Sequence, residues 1–202
     1  PAERLSAQAL RQRFLTPPPW QPEVVRERRF SNSHREPALA AVLLGIVLRE
    51  QPTVLLTQRT AHLSTHSGQV AFPGGKVDST DANPAATALR EAHEEVGLDP
   101  QHVEVLGQLS EYITGTAFVV TPVVALIDAN HRITPNPHEV DQVFEVPLTH
   151  LMNPANHRRH AHETEGNRRE WFSMPYHDGL DERFIWGATA GMLRNFYRFL
   201  MA

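Results

Sequence analysis

Gly74-Gly75-Lys76 opens, and Arg90-Glu91-Ala92-His93-Glu94-Glu95-Val96-Gly97-Leu98 closes, the stretch on which the reading of this chain turns. Asn83 can cap a helix, Pro84 suits its first position and Gly97 suits its stop, so the spacing predicts a helix over 84–96. At about 100° per residue, Ala85, Leu89, Ala92 and Val96 fall on one narrow apolar arc. Glu91, Glu94 and Glu95 fall on a second arc, on the order of 140° away. One face is expected to dock on a core and the other to present its carboxylates together as an exposed patch.

Like charges at these spacings destabilise a helix by a few tenths of a kcal/mol per pair. They also sit toward the C-terminal end, where the helix dipole disfavours negative charge. A purely structural helix gains nothing from that placement. A hard divalent cation, Mg²⁺ or Mn²⁺, reverses the sign of the interaction, because such ions favour oxygen ligands. The plainer alternative is an ordinary solvated acidic face.

Outward from this helix, Ala40–Leu48 is a continuous apolar run of strand length and Val54–Thr57 is another. Gln51-Pro52 between them predicts a hairpin. On the other side, Val103–Leu109, Ala117–Ile127 and Val143–Val146 read as strands, with Pro135-Asn136-Pro137 marking a loop and Pro147–Met152 a helical turn. Two more strands are expected in 157–163 and 169–174, and Gly187–Leu200 reads as a closing helix. At the other end, Leu5, Ala9, Leu10 and Phe14 are spaced for one face of a helix over 3–15, which Pro17–Pro19 stop. The basic stretch Val24–Phe30 reads as a strand edge. Strands mixed with a few helices give an α/β or α+β layered fold.

The central stretch resembles the Nudix box, G-x5-E-x7-R-E-U-x-E-E-x-G-U, where U is aliphatic. Arg90–Leu98 fills its second half, with small Ala92 at the first U. The first half departs: Gly75 is followed six residues later by Asp81 rather than Glu, and eight residues rather than seven separate Asp81 from Arg90. The acid that would anchor the loop and Arg90 is thus shorter and shifted by one. A second resemblance lies upstream. Leu55-Leu56-Thr57-Gln58-Arg59-Thr60, Leu63, Gly68-Gln69-Val70-Ala71-Phe72-Pro73-Gly74-Gly75-Lys76 and Asp78 are similar to the signature of coenzyme A pyrophosphatase-type Nudix hydrolases. Ile185-Trp186-Gly187-Ala188-Thr189-Ala190 resembles that group's closing strand-to-helix segment.

The resemblance implies an α/β/α sandwich with a mixed central sheet and a catalytic strand-loop-helix motif. The chain then reads as one domain over 1–202, with a helical arm over 1–25 and the box over 74–98. The implied activity is metal-dependent hydrolysis of the pyrophosphate bond of CoA or its derivatives to 3′,5′-ADP and 4′-phosphopantetheine. ADP-ribose or another dinucleotide is the alternative substrate, and a nucleotide-binding module without turnover is the alternative class. Glu91, Glu94, Glu95 and the backbone of Gly75 are the implied ligands of Mg²⁺ or Mn²⁺. The general base is either a box glutamate, Glu94 or Glu95, or Glu139, which lies in a Pro-rich loop before a strand and could equally be surface charge. Arg59 is a candidate for the substrate phosphates or for a structural role. Arg26, Arg28 and Arg29 could reach the site from the N-terminal segment, against the plainer reading of a solvated edge.

Composition narrows the field. A chain of 202 residues, 41% hydrophobic, can bury one substantial core. The absence of cysteine excludes disulfides and thiolate metal sites and fits a reducing, cytoplasmic setting. It also argues against prenyl diphosphate isomerisation, a chemistry of the same fold that typically uses a cysteine. The N-terminus lacks the apolar core of a signal peptide, and the longest apolar run, Ala38–Leu48, is too short to span a bilayer. With a net charge of −4, the expected partner is a small-molecule substrate rather than nucleic acid or membrane, and a homodimer stays open. His160 and His162 share a strand face, where polar surface is the expectation over a zinc site.

Overall fold

In a computed structural model, the described residues are 2–25, 36–61 and 68–202. In chain order they form α1 (Ala7–Leu15), β1 (Ala38–Val47), β2 (Thr53–Arg59), β3 (Val70–Ala71), β4 (Gly74–Lys76), α2 (Pro84–Val96), β5 (Val103–Gln108) and β6 (Tyr112–Ile113). There follow β7 (Phe118–Ile127), β8 (Val140–Pro147), α3 (Leu148–Leu151), β9 (Arg158–Thr164), β10 (Asn167–Asp178), β11 (Asp181–Trp186) and α4 (Gly187–Met201).

The central sheet has eight strands in the order β3-β2-β1-β7-β5, with β4 beside β1, β6 beside β7 and β8 beside β2. It is mixed: β1 and β7 run parallel, from Ala38 opposite Phe118 to Val47 opposite Ile127, and the other pairs are antiparallel. Alternate residues of β1 face two separate cores. Ala41, Leu43 and Val47 pack with Ala88, Ala92 and Val96 of α2. Ala40, Leu44 and Ile46 pack with Leu193 and Phe196 of α4, Leu10 of α1, Leu148 and Leu151 of α3, and Phe172, Met174 and Ile185 of a second sheet. Cover on both faces is why β1 reads as an unbroken apolar run rather than an alternating one. The expected sandwich is therefore present, with the antiparallel sheet β11-β10-β9 added to its second outer layer.

The predicted hairpin joins β1 and β2 through Ile46–Val54 and Val47–Thr53. The expected helix over 3–15 is divided: a 3-10 turn spans Ala2–Leu5 and α1 begins at Ala7. Ser6 divides them by taking the N-cap, its hydroxyl accepting from Ala9 N at 3.2 Å. The arm lies against α4, with Phe14 and Trp20 on the ring of Phe199 at 4.8 and 5.5 Å. Glu23 accepts from Arg194 at 2.9 Å and from Arg198 at 3.3 Å. No strand is formed at Val24 and Val25, and Arg26, Arg28, Arg29 and Leu63 lie outside the described residues. Among those residues no helix is long and apolar enough to cross a membrane.

Candidate active site

The helix bearing the carboxylates is framed as its ends predict. Asn83 Oδ1 accepts from Ala86 N at 2.9 Å, Pro84 is the first residue, and Gly97 stops the helix at φ 67° with its N–H on His93 O at 2.9 Å. Its face differs from the expected one. The carboxylates do not form a common exposed patch: Glu94 has a side chain 54% exposed and Glu91 one of 16%, but Glu95 is buried. The reason lies in Ala88, which also enters the core. Glu95 is only about 20° from Ala88 on the wheel, so docking the Ala88–Ala92 side carries Glu95 inward with it.

The loop before α2 closes on these side chains. A Cβ on Gly75 would fall 2.6 Å from Glu91 Oε1, and one on Gly74 would fall 2.5 Å from Ala41 O. The glycines therefore let the loop backbone approach both the sheet and the Glu91 carboxylate. Gly74 N–H points at Glu95 Oε2, 3.4 Å away. Arg90 ties the loop to the helix. Its Nε and Nη2 grip Asp81 at 3.0 and 2.9 Å, Nη2 also reaches Lys76 O at 3.0 Å, and Nη1 donates to Glu91 at 2.8 Å. Asp81 accepts further bonds from Asp78 N and Thr87 Oγ1, each at 2.8 Å. The shorter, shifted acid thus does anchor Arg90. The Arg90 hydrogen bond, foremost, holds the Asp81 carboxyl well below the ordinary carboxylate range.

A second loop brings in Glu139. Thr134 N and Asn136 N each donate at 2.8 Å to Val96 O and Glu95 O, satisfying carbonyls that the last turn of α2 leaves unpaired. Glu139 follows at once, its backbone joined to Asn136 O and Thr60 N, and its Oε1 is 3.3 Å from Asn136 Nδ2. Both residues cap through their backbone N–H groups, which any residue but proline carries, so residue type does not mark them in the sequence. Arg59, at the end of β2, completes the group with Nη1 3.8 Å from Glu95 Oε1.

Burial pushes the Glu95 carboxyl up to about 8, against the pull of Arg59 and the Gly74 N–H; the charges of Glu91 and Glu139 push it the same way as burial. Burial likewise raises Glu91, helped by Glu94 and Glu139 and opposed by Arg90. The structure therefore brings Glu91, Glu95, Glu139 and Arg59 into one electrostatic group, with Glu94 at its solvent side. Among the described residues no three acidic or histidine side chains converge as a finished metal cage. The donor chemistry nevertheless fits a hard divalent cation. The groups are carboxylates, one is buried with too little positive charge beside it, and Mg²⁺ needs only one or two protein carboxylates because it retains waters. His93 is exposed, as expected, with Nδ1 3.3 Å from Leu98 O. His160 is occupied by Ser173 Oγ at 2.7 Å and by stacking on Trp171.

A family model described as NUDIX domain matches residues 38–175. A protein described as "Uncharacterized Nudix hydrolase NudL" from Enterobacter sp. (strain 638) is 46% identical over 160 residues, covering 77% of this chain and 79% of its own. The protein of that description from Salmonella newport is 47% identical over 156 residues, with the same shares of 77% and 79%. Among solved structures, a MutT/nudix family protein from Enterococcus faecalis is similar in fold, with a TM-score of 0.50 at 16% identity over 85% of this chain and 65% of that one.

Proposed function

The chain belongs to the Nudix hydrolase family, and on that premise we propose that it hydrolyses the pyrophosphate bond of coenzyme A or its derivatives, releasing 3′,5′-ADP and 4′-phosphopantetheine. Nudix hydrolases generally use divalent metal ions. In this reading Glu91, Glu94, Glu95 and the carbonyl of Gly75 would hold Mg²⁺ or Mn²⁺. When bound, such an ion supplies positive charge to the phosphate oxygens and acidifies the water it carries. The observation that carries the reading is Glu95, buried beside Arg59, with Glu91 and Glu139 in its field.

Hydrolysis joins a water oxygen to one phosphorus and releases the other phosphate, so the barrier is mainly one of charge and position. Arg59 would orient an anionic phosphate beside the carboxylates. Glu139 is the best placed base: among the described residues no arginine forms an ion pair with it, and its Oε1 accepts from Asn136 Nδ2 at 3.3 Å. Burial raises both Glu91 and Glu95, and the charge of Glu91 adds to the rise at Glu95. Arg90 would hold Glu91 and Glu94 in place from the side away from substrate, through bonds of 2.8 and 3.3 Å.

The choice of CoA rests on the stretch from Leu55 to Asp78 that resembles the CoA-directed signature. A product analysis over CoA, ADP-ribose, NADH and dinucleoside polyphosphates, with Mg²⁺ and with Mn²⁺, tests it. CoA is expected to give the highest kcat/KM, with 3′,5′-ADP as product. Equal or better turnover of ADP-ribose would remove the CoA assignment. Metal-saturated protein that turns over none of these substrates would remove the hydrolase reading.

A further inference from the structure

Asn136 joins the segments that carry two of the site's carboxylates. Its backbone N–H caps α2 at Glu95 O, 2.8 Å away, a task open to any residue but proline. Its side chain does more. Oδ1 accepts from His138 N at 3.1 Å, and Nδ2 donates to Glu139 Oε1 at 3.3 Å. Its carbonyl accepts from Glu139 N at 3.1 Å and from Val140 N at 2.9 Å, closing the turn that carries Glu139. Pro135 and Pro137 restrict the backbone on either side, and Pro137 also keeps Asn136 out of the helical region. The far end of the turn is held as well: Glu139 O accepts from Thr60 N at 3.2 Å, one residue beyond Arg59. The Glu139 backbone is thus clamped between the helix turn that bears Glu95 and the strand end that bears Arg59.

The Glu139 side chain has less support. It shares a field with Glu91 and Glu95, and among the described residues no arginine forms an ion pair with it. Repulsion from those acids, and the rotamer freedom of a glutamate, both favour swinging the carboxylate out to water. The Asn136 amide opposes that swing. The type of donor matters here. A guanidinium would hold the carboxylate by neutralising it, whereas an amide N–H holds it and leaves its charge whole. We propose that Asn136 is a positioning residue for the reaction, its amide aiming the Glu139 carboxylate into the site while its backbone ties Glu139 to the turn that bears Glu95. This rests on the reading of Glu139 as the base of a pyrophosphate hydrolase.

Two replacements separate positioning from turn-making. Asn136→Asp keeps an oxygen for His138 N, and so the turn, but faces Glu139 with a like charge in place of a donor. Asn136→Ala loses the turn bond and adds no charge. Thermal unfolding and steady-state kinetics, at saturating Mg²⁺ on whichever panel substrate wild type turns over best, are measured for both. In Asn136→Asp, kcat is expected to fall about ten- to a hundredfold, with KM within about threefold of wild type and Tm close to it. Asn136→Ala should lose less in kcat and more in Tm. A merely structural residue gives the reverse order, with activity following Tm, and that result would overturn the proposal. So would a kcat for Asn136→Asp within about threefold of wild type. Combination with Glu139→Gln separates a direct effect of the added charge: acting through Glu139, Asn136→Asp should cost that variant less than a further threefold or so. An undiminished loss there would equally overturn the proposal. Near wild-type kcat in Glu139→Gln would remove the base and Asn136 with it, leaving the hydrolase reading intact. No turnover of any panel substrate by metal-saturated wild type would overturn both.

Discussion

The close approach of Gly75 to Glu91 offers a test in which fold and site separate. In Gly75→Ala, the new Cβ would meet Glu91 Cδ at 2.5 Å and its two oxygens at 2.6 and 2.8 Å. Ordinary van der Waals contact requires about 1 Å more, so something must move by roughly that amount. The part most able to yield is the end of the Glu91 side chain, since Gly75 is paired to Ala41 in the sheet. The backbone at Gly75 is not in the left-handed region, so alanine adds no strain of its own. Stability should therefore change by less than about 1 kcal/mol, with the lower entropy of the unfolded alanine chain offsetting part of the clash. Activity should respond far more. A displacement of about 1 Å in a catalytic group can cost on the order of a hundredfold in rate, or about 2.7 kcal/mol of transition-state stabilisation. Thermal unfolding and kcat/KM measured on the same preparation decide the point. Activity within threefold of wild type, with Tm unchanged, would show that the position of the Glu91 carboxylate does not matter to the reaction and refute its role as a ligand.

Glu94→Gln and Glu95→Gln should each remove most activity and leave the fold intact; Glu95→Gln should not lower Tm, because a buried acid is replaced by a neutral isostere, and near wild-type turnover at saturating metal would sink the assignment. Arg59→Ala should raise KM more than it lowers kcat if Arg59 holds phosphate equally in ground and transition states, whereas an unchanged KM with a clearly lower Tm would make the residue structural. The arm should release in acid. Burial raises the Glu23 carboxyl, but bonds from Arg194 and Arg198 more than reverse this and leave it below its ordinary 4.5. Its stabilisation is therefore full above pH 4.5 and lost as the pH falls through the lower folded value. The Tm deficit of Glu23→Gln should accordingly be present at pH 7 and shrink below pH 4, and a deficit independent of pH would show that these ion pairs do not hold the arm.

Elements with strong ends or long apolar runs were legible in the sequence, and elements made by tertiary pairing were not. Asn83, Pro84 and Gly97 specify α2 locally, because each satisfies a demand of a helix terminus by its own chemistry. The runs in β1 and β7 announce strands buried on both faces. By contrast β3, β4 and β6 are two or three residues each, too short to display a period. They exist because neighbours offer partners: β3 pairs with Thr57 and Gln58, and β4 with Ala40, Ala41 and Val42. The charged opening of β11, Asp181-Glu182-Arg183, hides a strand whose apolar end alone, Ile185-Trp186, signals its presence.

The candidate site was legible as a list of residues but not as an electrostatic arrangement. The wheel placed Glu91, Glu94 and Glu95 side by side, and treating them as one exposed patch made their mutual repulsion the main cost. In the fold, the first cost at Glu95 and Glu91 is loss of solvent, with the other acids adding to it. The difference follows from one small residue. Ala88 lets α2 settle deeply on β1, and the helix then buries Glu95 against Gly74 and Arg59. A bulky residue at 88 would lift the helix and return Glu95 to water, where a carboxylate needs no cation beside it. The same depth lets Glu95 O and Val96 O meet the loop that carries Glu139. One alanine-sized step in helix packing thus both desolvates the box glutamate and brings the second carboxylate to it. Neither effect is visible in the spacing of acids along the chain, since both depend on which layer the helix meets and how closely.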